Sequence, residues 1–295
     1  MEILVFGAGS LGSLIGGLLA RDHDVTLVGR DPHLEAIQES GLTIGGEIEQ
    51  TVRPHGTTTL PTDTELAIVT VKAYDTATAA DALADCDCAA VLSLQNGIRN
   101  ETMLAETLDT TILAGTATYG AIADEPGHVT CTGVGEVVLG NPDGRPSDVA
   151  DRVGAAFRAA DIETTVVSDM PRRLWEKLAV NAGINATTAL ARVQNDALAD
   201  GAAREVARRA TREAARVARA NDVALADEDT LSALEGVIDA TADNESSMYR
   251  DLQTEHRTEI DAINGIVADS DIETPVNETL AALIRTWERE RNVRS

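Results

Sequence analysis

The stretch "EILVFGAGSLGSLIGGLLARD", residues 2–22, decides the fold. An apolar run over residues 2–7 stops at a glycine, and a helical pattern opens three residues later. Gly7, Gly9 and Gly12 stand at that junction in G-x-G-x-x-G spacing. Gly7 permits the tight turn, Gly9 lets the backbone approach a pyrophosphate, and Gly12 lets helix and strand pack closely. The helix N-terminus then offers unpaired N–H groups and a positive dipole end to phosphates. The run Gly7, Ala8, Gly9, Ser10, Leu11 and Gly12 is therefore the expected dinucleotide cradle.

Further strands follow at "VTLVG" (25–29), "LAIVTV" (66–71), "AAVLSL" (89–94) and "TTILAGT" (110–116), with helical patterns between them. Strands alternating with helices predict a parallel sheet with crossover helices. From about residue 118, "GHVTCTGVGEVVLGNPDG" reads as Gly-punctuated strands of an antiparallel extension, and "IETTVVS" (162–168) closes this half. Past Pro171 strands disappear, and helices are predicted over 172–190, 197–220, 228–240, 246–268 and 276–291. The expected architecture is α/β: a Rossmann dinucleotide-binding domain over residues 1–168, followed by an all-α domain over residues 169–295.

Composition narrows the function classes. Forty-nine acidic against 24 basic residues leave a formal charge of −25, spread along the chain. Such a surface repels nucleic acid and anionic membranes. No apolar run approaches the roughly 20 residues needed to cross a bilayer, and no basic leader precedes the first strand, so a cytoplasmic protein is expected. Acid-rich and lysine-poor composition is typical of proteins from salt-loving organisms. Cys86 and Cys88 form a C-x-C with Cys131 far away, and the five histidines lack paired ligand spacing, so no metal site is expected. One helix carries Arg204, Arg208, Arg212 and Arg216 four apart; a face neutralised by Glu205 and Glu213, or packed on acidic neighbours, accounts for it.

Three positions bear on the cofactor. An NAD site wants an acid at the end of the second strand to hold the ribose 2′-hydroxyl. Here the strand ends in Gly29-Arg30, and a guanidinium suits a 2′-phosphate; Asp31 follows and keeps NAD open. Lys72 closes "IVTVKAYDT" at the carboxyl edge of the sheet and adds a second positive charge. Asn96, in "SLQNGI", ends another strand, as a turn or as an amide aimed at the nicotinamide and substrate.

The second half draws attention through lysine. Against 22 arginines the chain has two lysines, Lys72 and Lys177. Lys177, Asn181 and Asn185 fall at i, i+4 and i+8, one helix face over about two turns, while Leu174, Leu178 and Ile184 fall elsewhere. One ammonium and two amides on a stripe fit the wall of a polar cleft. Asn195 is read as an N-cap or a site residue, Ser247 as a cap or a substrate contact, and Glu259 as a solvated acid or a site residue.

The segments "GAGSLG" (7–12), "VTLVGR" (25–30), "VTVKAYDT" (69–76), "LQNGI" (94–98), "WEKLAVNAGINATTAL" (175–190) and "SSMYRDL…RTEIDAINGI" (246–266) resemble, in order and over nearly the whole length, the 2-dehydropantoate 2-reductase (ketopantoate reductase) family. That family joins a Rossmann domain to a helical domain resembling that of 6-phosphogluconate dehydrogenase. The resemblance implies NADPH-dependent reduction of 2-dehydropantoate to (R)-pantoate, on the route to pantothenate and coenzyme A. It makes Lys177 the proton donor with Glu259 as its partner. Asn96, Lys177, Asn181, Asn185, Asn195 and Ser247 would contact substrate. Gly7 to Gly12, Arg30, Lys72, Asn96, Ala121 and Glu259 would contact the cofactor, NADP rather than NAD. A homodimer is compatible with this reading. The alternatives are a reductase of the same fold acting on another 2-oxo acid, and a non-catalytic NADP-binding sensor.

Overall fold

The computed structural model describes residues 1–123 and 125–294; Ser295, the end of the expected helical domain, lies outside them. The chain forms two compact units. The first comprises Met1–Gln95 and Arg99–Met170, the second Asn96–Ile98 and everything from Pro171 onward.

The first unit is built on one eight-stranded sheet: β1 (Glu2–Phe6), β2 (Asp24–Val28), β3 (His55–Thr57), β4 (Leu66–Val69), β5 (Ala90–Ser93), β6 (Thr111–Ala117), β7 (Val137–Gly140) and β8 (Thr164–Val166). Their spatial order is β3-β2-β1-β4-β5-β6-β7-β8. All neighbours run parallel except β6 and β7. The order reverses between β1 and β4, the switch point where ligands of doubly wound sheets lie, and the glycine-rich turn follows β1. Helices α1 (Ser10–Leu19), α2 (His33–Ser40), α3 (Thr76–Leu83), α4 (Asn100–Thr107) and α5 (Asp148–Ala159) belong to the same unit. Every residue of β4 and β5 is buried, as expected for parallel strands covered on both faces.

A second sheet, with strands Gly120–Ile122, His128–Gly133, Leu42–Gly46 and Gln50–Val52 in that order, lies in the same unit. The expected antiparallel extension is thereby divided. Gly120–Ile122 and His128–Gly133 form a hairpin in this small sheet, whereas Val137–Gly140 returns to the main one. Strands 42–46, 50–52 and 55–57 are too short for their pattern to reveal them; Leu42–Gly46 pairs with its neighbour Gln50–Val52 and gains a second ladder from His128–Gly133, far along the chain.

Glycine decides how closely α1 packs. A Cβ at Gly12 would collide with the Gly7 carbonyl oxygen and Thr70 Oγ1, and one at Gly16 with Leu27. A Cβ at Gly9 meets nothing within 4 Å, so packing does not demand glycine there.

The second unit contains α6 (Met170–Ala191, from its second residue), α7 (Gly201–Ala220), α8 (Asp227–Ala240), α9 (Ser247–Gln253), α10 (Asn264–Ala268) and α11 (Pro275–Glu290). Its core is rich in alanine, with Ala182, Ala186, Ala210, Ala214 and Ala218 around Trp175, Leu178 and Ile284; small side chains let helix axes approach. A buried carboxylate fixes the start of α11: Glu213 accepts the main-chain N–H groups of Val276 at 3.1 Å and Asn277 at 2.9 Å, and the Asn277 amide at 2.8 Å. An anion at a helix N-terminus satisfies orphan donors and complements the dipole. The arginine stripe of α7 packs on acid, since Arg204 and Arg208 share one oxygen of Glu235. Among the described residues no helix is long and apolar enough to cross a membrane.

The single helix predicted over 246–268 is broken. After α9 the chain turns through Glu255 at φ +52°, forms a short 3-10 turn at Ile260–Ala262, and only then enters α10. The cause is tertiary. Thr258 gives both its main-chain N–H and its hydroxyl to Glu288, at 2.8 and 2.7 Å, which overrides the helix propensity of "RDLQTEHRTEI".

Gly12→Ala is expected to destabilise the protein by about 2 kcal/mol or more through overpacking. Gly9→Ala should stay within about 1 kcal/mol of the parent. Guanidinium unfolding of both variants reads the difference.

Candidate active site

At the glycine-rich turn, Gly9 is the N-cap of α1 in extended conformation, with no side chain capping the first turn. Its carbonyl accepts the Ser13 N–H at 2.8 Å, and Thr70 Oγ1 donates to the Gly7 carbonyl at 2.8 Å, which pins the turn to β4. An uncapped helix start with open space at Gly9 fits a dinucleotide pyrophosphate. Arg30 is exposed just past β2, and Lys72 is half-buried just past β4. Both strands neighbour β1 in parallel, so these two cations lie at the same sheet edge as the glycine turn. Ser10 Oγ accepts the Ala123 N–H at 3.1 Å. That bond ties the strand Gly120–Ile122, and with it Ala121, to the start of α1.

A polar knot that sequence reasoning missed holds the end of β5. Gln95 donates to the Val71 carbonyl at 3.1 Å and to Thr76 Oγ1 at 2.8 Å, and Thr76 Oγ1 lies 2.9 Å from Asn100 Oδ1. Gln95, Thr76 and Asn100 are all buried. The chain is thus fixed immediately before Asn96.

In the second unit, α6 carries Lys177, Asn181 and Asn185 as one stripe. Lys177 and Asn181 are half-buried, Asn185 buried, and Leu174, Leu178 and Ile184 face the core. Although the Lys177 residue keeps some surface, desolvation pushes its ammonium down to about 8, and the negative charge of Glu259 opposes that fall. Glu259, buried in the turn before Ile260, accepts a hydrogen bond from the Asn96 amide at 2.9 Å. Asn96 reaches it because Gly97 adopts φ +89° and packs on the Ala262 carbonyl, which a Cβ would approach to 2.6 Å. Asn96, Lys177 and Glu259, more than 160 residues apart at the extremes, therefore come together in one unit.

The remaining residues sit nearby along the chain in different states. Asn195 opens a 3-10 turn whose N-cap is Gln194, so it is no cap. It is buried; its N–H donates to the Asn244 carbonyl at 3.0 Å and its amide to Thr241 at 2.9 Å, while its Oδ1 has no partner among the described residues. Ser247 is exposed at the first position of α9. The cap there is Ser246, which accepts the Tyr249 N–H at 3.1 Å and sits 2.8 Å from Thr188 Oγ1. Paired serines hid this from the sequence; the buried one does the structural work and leaves Ser247 open.

A glycine-rich Rossmann unit joined in sequence to a helical unit bearing a desolvated lysine fits an NAD(P)-dependent oxidoreductase acting on a CH–OH group, the class to which its relatives belong. A family profile described as "Ketopantoate reductase PanE/ApbA" matches residues 3–144, and its C-terminal counterpart matches residues 169–288. The chain belongs to the ketopantoate reductase family. A 2-dehydropantoate 2-reductase of Halobacterium salinarum is 43% identical over 310 residues, covering 98% of this chain and 100% of the relative. Its salt-loving source matches the acid-rich composition. The solved PanE/ApbA family ketopantoate reductase from Ralstonia eutropha aligns with TM-score 0.90 at 30% identity, covering 99% of this chain and 100% of that one. D-mandelate dehydrogenase, solved with NADH and anilino(oxo)acetate, shares the fold with TM-score 0.92 at 24% identity and full coverage of both chains.

With two lysines in the chain, 15N-lysine labelling isolates the Lys177 titration, and Lys72→Arg assigns it. Its midpoint is expected near 8, moving lower in Glu259→Gln because the carboxylate that favours the charged form is gone.

Proposed function

We propose that this chain reduces 2-dehydropantoate to (R)-pantoate with NADPH, with Lys177 giving the proton, in the biosynthesis of pantothenate and coenzyme A. The observation that carries this reading is a desolvated lysine ammonium beside a buried carboxylate that is itself held by Asn96. On this reading residues 1–168 bind the dinucleotide and residues 169–295 supply the substrate-binding helices. Gly7 to Gly12 hold the pyrophosphate, with Ala121 alongside, and Arg30 and Lys72 favour the 2′-phosphate of NADP over NAD.

Bound NADPH supplies hydride to the ketone carbon. As negative charge develops on the ketone oxygen, the Lys177 ammonium stabilises it and donates its proton, leaving a neutral amine and the alcohol. An ammonium lowered to about 8 is a better acid at neutral pH than an ordinary lysine, yet remains mostly protonated. Glu259 keeps it from falling further. Asn96 fixes the Glu259 carboxylate and borders both cofactor and substrate. Asn181, Asn185, Asn195 and Ser247 hydrogen-bond the hydroxyl and carboxylate of the substrate; the unpartnered Asn195 Oδ1 is an acceptor suited to the hydroxyl. Arginine is no substitute for Lys177, because guanidinium holds its proton too tightly to act as an acid. A dinucleotide sensor would need the glycines and Arg30, but neither Lys177 nor Glu259.

The test is oxidation of NADPH, and separately NADH, with 2-dehydropantoate in molar KCl. Lys177→Ala should lose roughly 10⁴-fold in kcat, donor and oxyanion roles together, and Lys177→Arg should not restore it. The parent rate should fall as pH rises through about 8, where the ammonium loses its proton. Arg30→Ala should narrow the preference for NADPH. Folded protein that binds NADPH but shows no turnover would sink the substrate assignment.

A further inference from the structure

The turn that presents Glu259 is gripped on both flanks by residues from α11 and beyond. On one flank, Oε1 of Glu288 accepts the Thr258 main-chain N–H and hydroxyl at 2.8 and 2.7 Å. On the other, Oδ1 of Asp261 accepts from Arg285 Nε at 2.8 Å. Arg294 joins the two, with Nη1 at 2.8 Å from Glu288 Oε2 and Nη2 at 2.7 Å from Asp261 Oδ2. Glu288 is fully buried. An apolar side chain could fill such a position without desolvating a charge; a carboxylate alone can take two donors from Thr258 and dock a guanidinium as well. Between these grips the chain has left the α-helix and makes a short 3-10 turn, in which the Ala262 N–H donates to the Glu259 carbonyl at 3.0 Å; where that turn sits, and with it the Glu259 side chain, depends on the grips at Thr258 and Asp261.

We propose that Arg294 and Glu288 are positioning residues: together they clamp Thr258 and Asp261 so that Glu259 stays on Asn96 and beside Lys177. The proposal rests on the reading of Lys177 and Glu259 as the catalytic pair. Arg257 and Asp261 share the turn with Glu259, and Arg257 lies 3.8 Å from Asp261. Arg285, Glu288 and Arg294 come from α11 and just past it, and Arg173 and Glu176 neighbour Lys177 along α6. Glu259 is the charge that raises the Lys177 titration. Loosening the clamp weakens that influence by letting Glu259 move away from Lys177.

The experiment compares the 15N-lysine titration of Lys177 in the parent chain with Arg294→Ala, Arg294→Lys and Glu288→Gln, alongside kcat and KM. Circular dichroism and NADPH binding serve as controls for folding. In Arg294→Ala the Lys177 midpoint should fall by about one pH unit and kcat by about tenfold. Arg294→Lys, which keeps the charge, should recover most of both, and Glu288→Gln should shift them in the same direction as Arg294→Ala. An unmoved midpoint in folded Arg294→Ala, whatever happens to its melting temperature, would overturn the clamp and leave Arg294 a stabilising residue only. Because the titration needs no substrate, a shifted midpoint in a chain that does not reduce 2-dehydropantoate would uphold the clamp while overturning the proposed reaction.

Discussion

The structure depends on keeping one ammonium poorly hydrated and still charged. Burial alone would drive Lys177 toward the neutral amine. The compromise is a single opposing carboxylate, Glu259, which is itself buried and would be costly if left alone. It is satisfied by the Asn96 amide at 2.9 Å. Three segments distant in sequence, the end of β5, the middle of α6 and the break after α9, must therefore meet. Gly97 and the Gln95 knot secure the end of β5, and the Thr258–Glu288 bonds secure the break after α9.

In the first unit the constraint is steric. The turn after β1 must be tight, α1 must lie almost on the backbone beneath it, and a phosphate-sized approach must stay open above. The three glycines of the motif divide these demands. Gly7 and Gly12 answer to contacts within the protein, whereas Gly9 faces empty space. The arrangement explains why the spacing of the glycines is more informative than their number.

Much of this was legible in the sequence where the signal was local. The glycine motif, the alternation of strands with helices and the i, i+4, i+8 stripe of Lys177, Asn181 and Asn185 all reflect periodicity within one element. Long-range effects were not legible. Strand Leu42–Gly46 takes one of its two ladders from His128–Gly133, far along the chain, and the helix predicted over 246–268 fails because a carboxylate thirty residues further on takes the Thr258 donors. Ser246 and Ser247 show the same limit on a smaller scale. Either serine could cap a helix, and only packing against Thr188 selects the first.

Residues 96–98 lead to a broader point. They leave β5, group with the helical unit and then hand the chain back at Arg99. Ile98 packs into the alanine-rich core and Asn96 supplies the donor to Glu259. The modular border is thus not one point on the chain but a brief excursion at residues 96–98 and a final crossing after Met170. A chimera that exchanged helical units between relatives at residue 170 alone would import a foreign partner for this tripeptide. Recombination within the fold can respect the polar pairing of Asn96 only by carrying both pieces together.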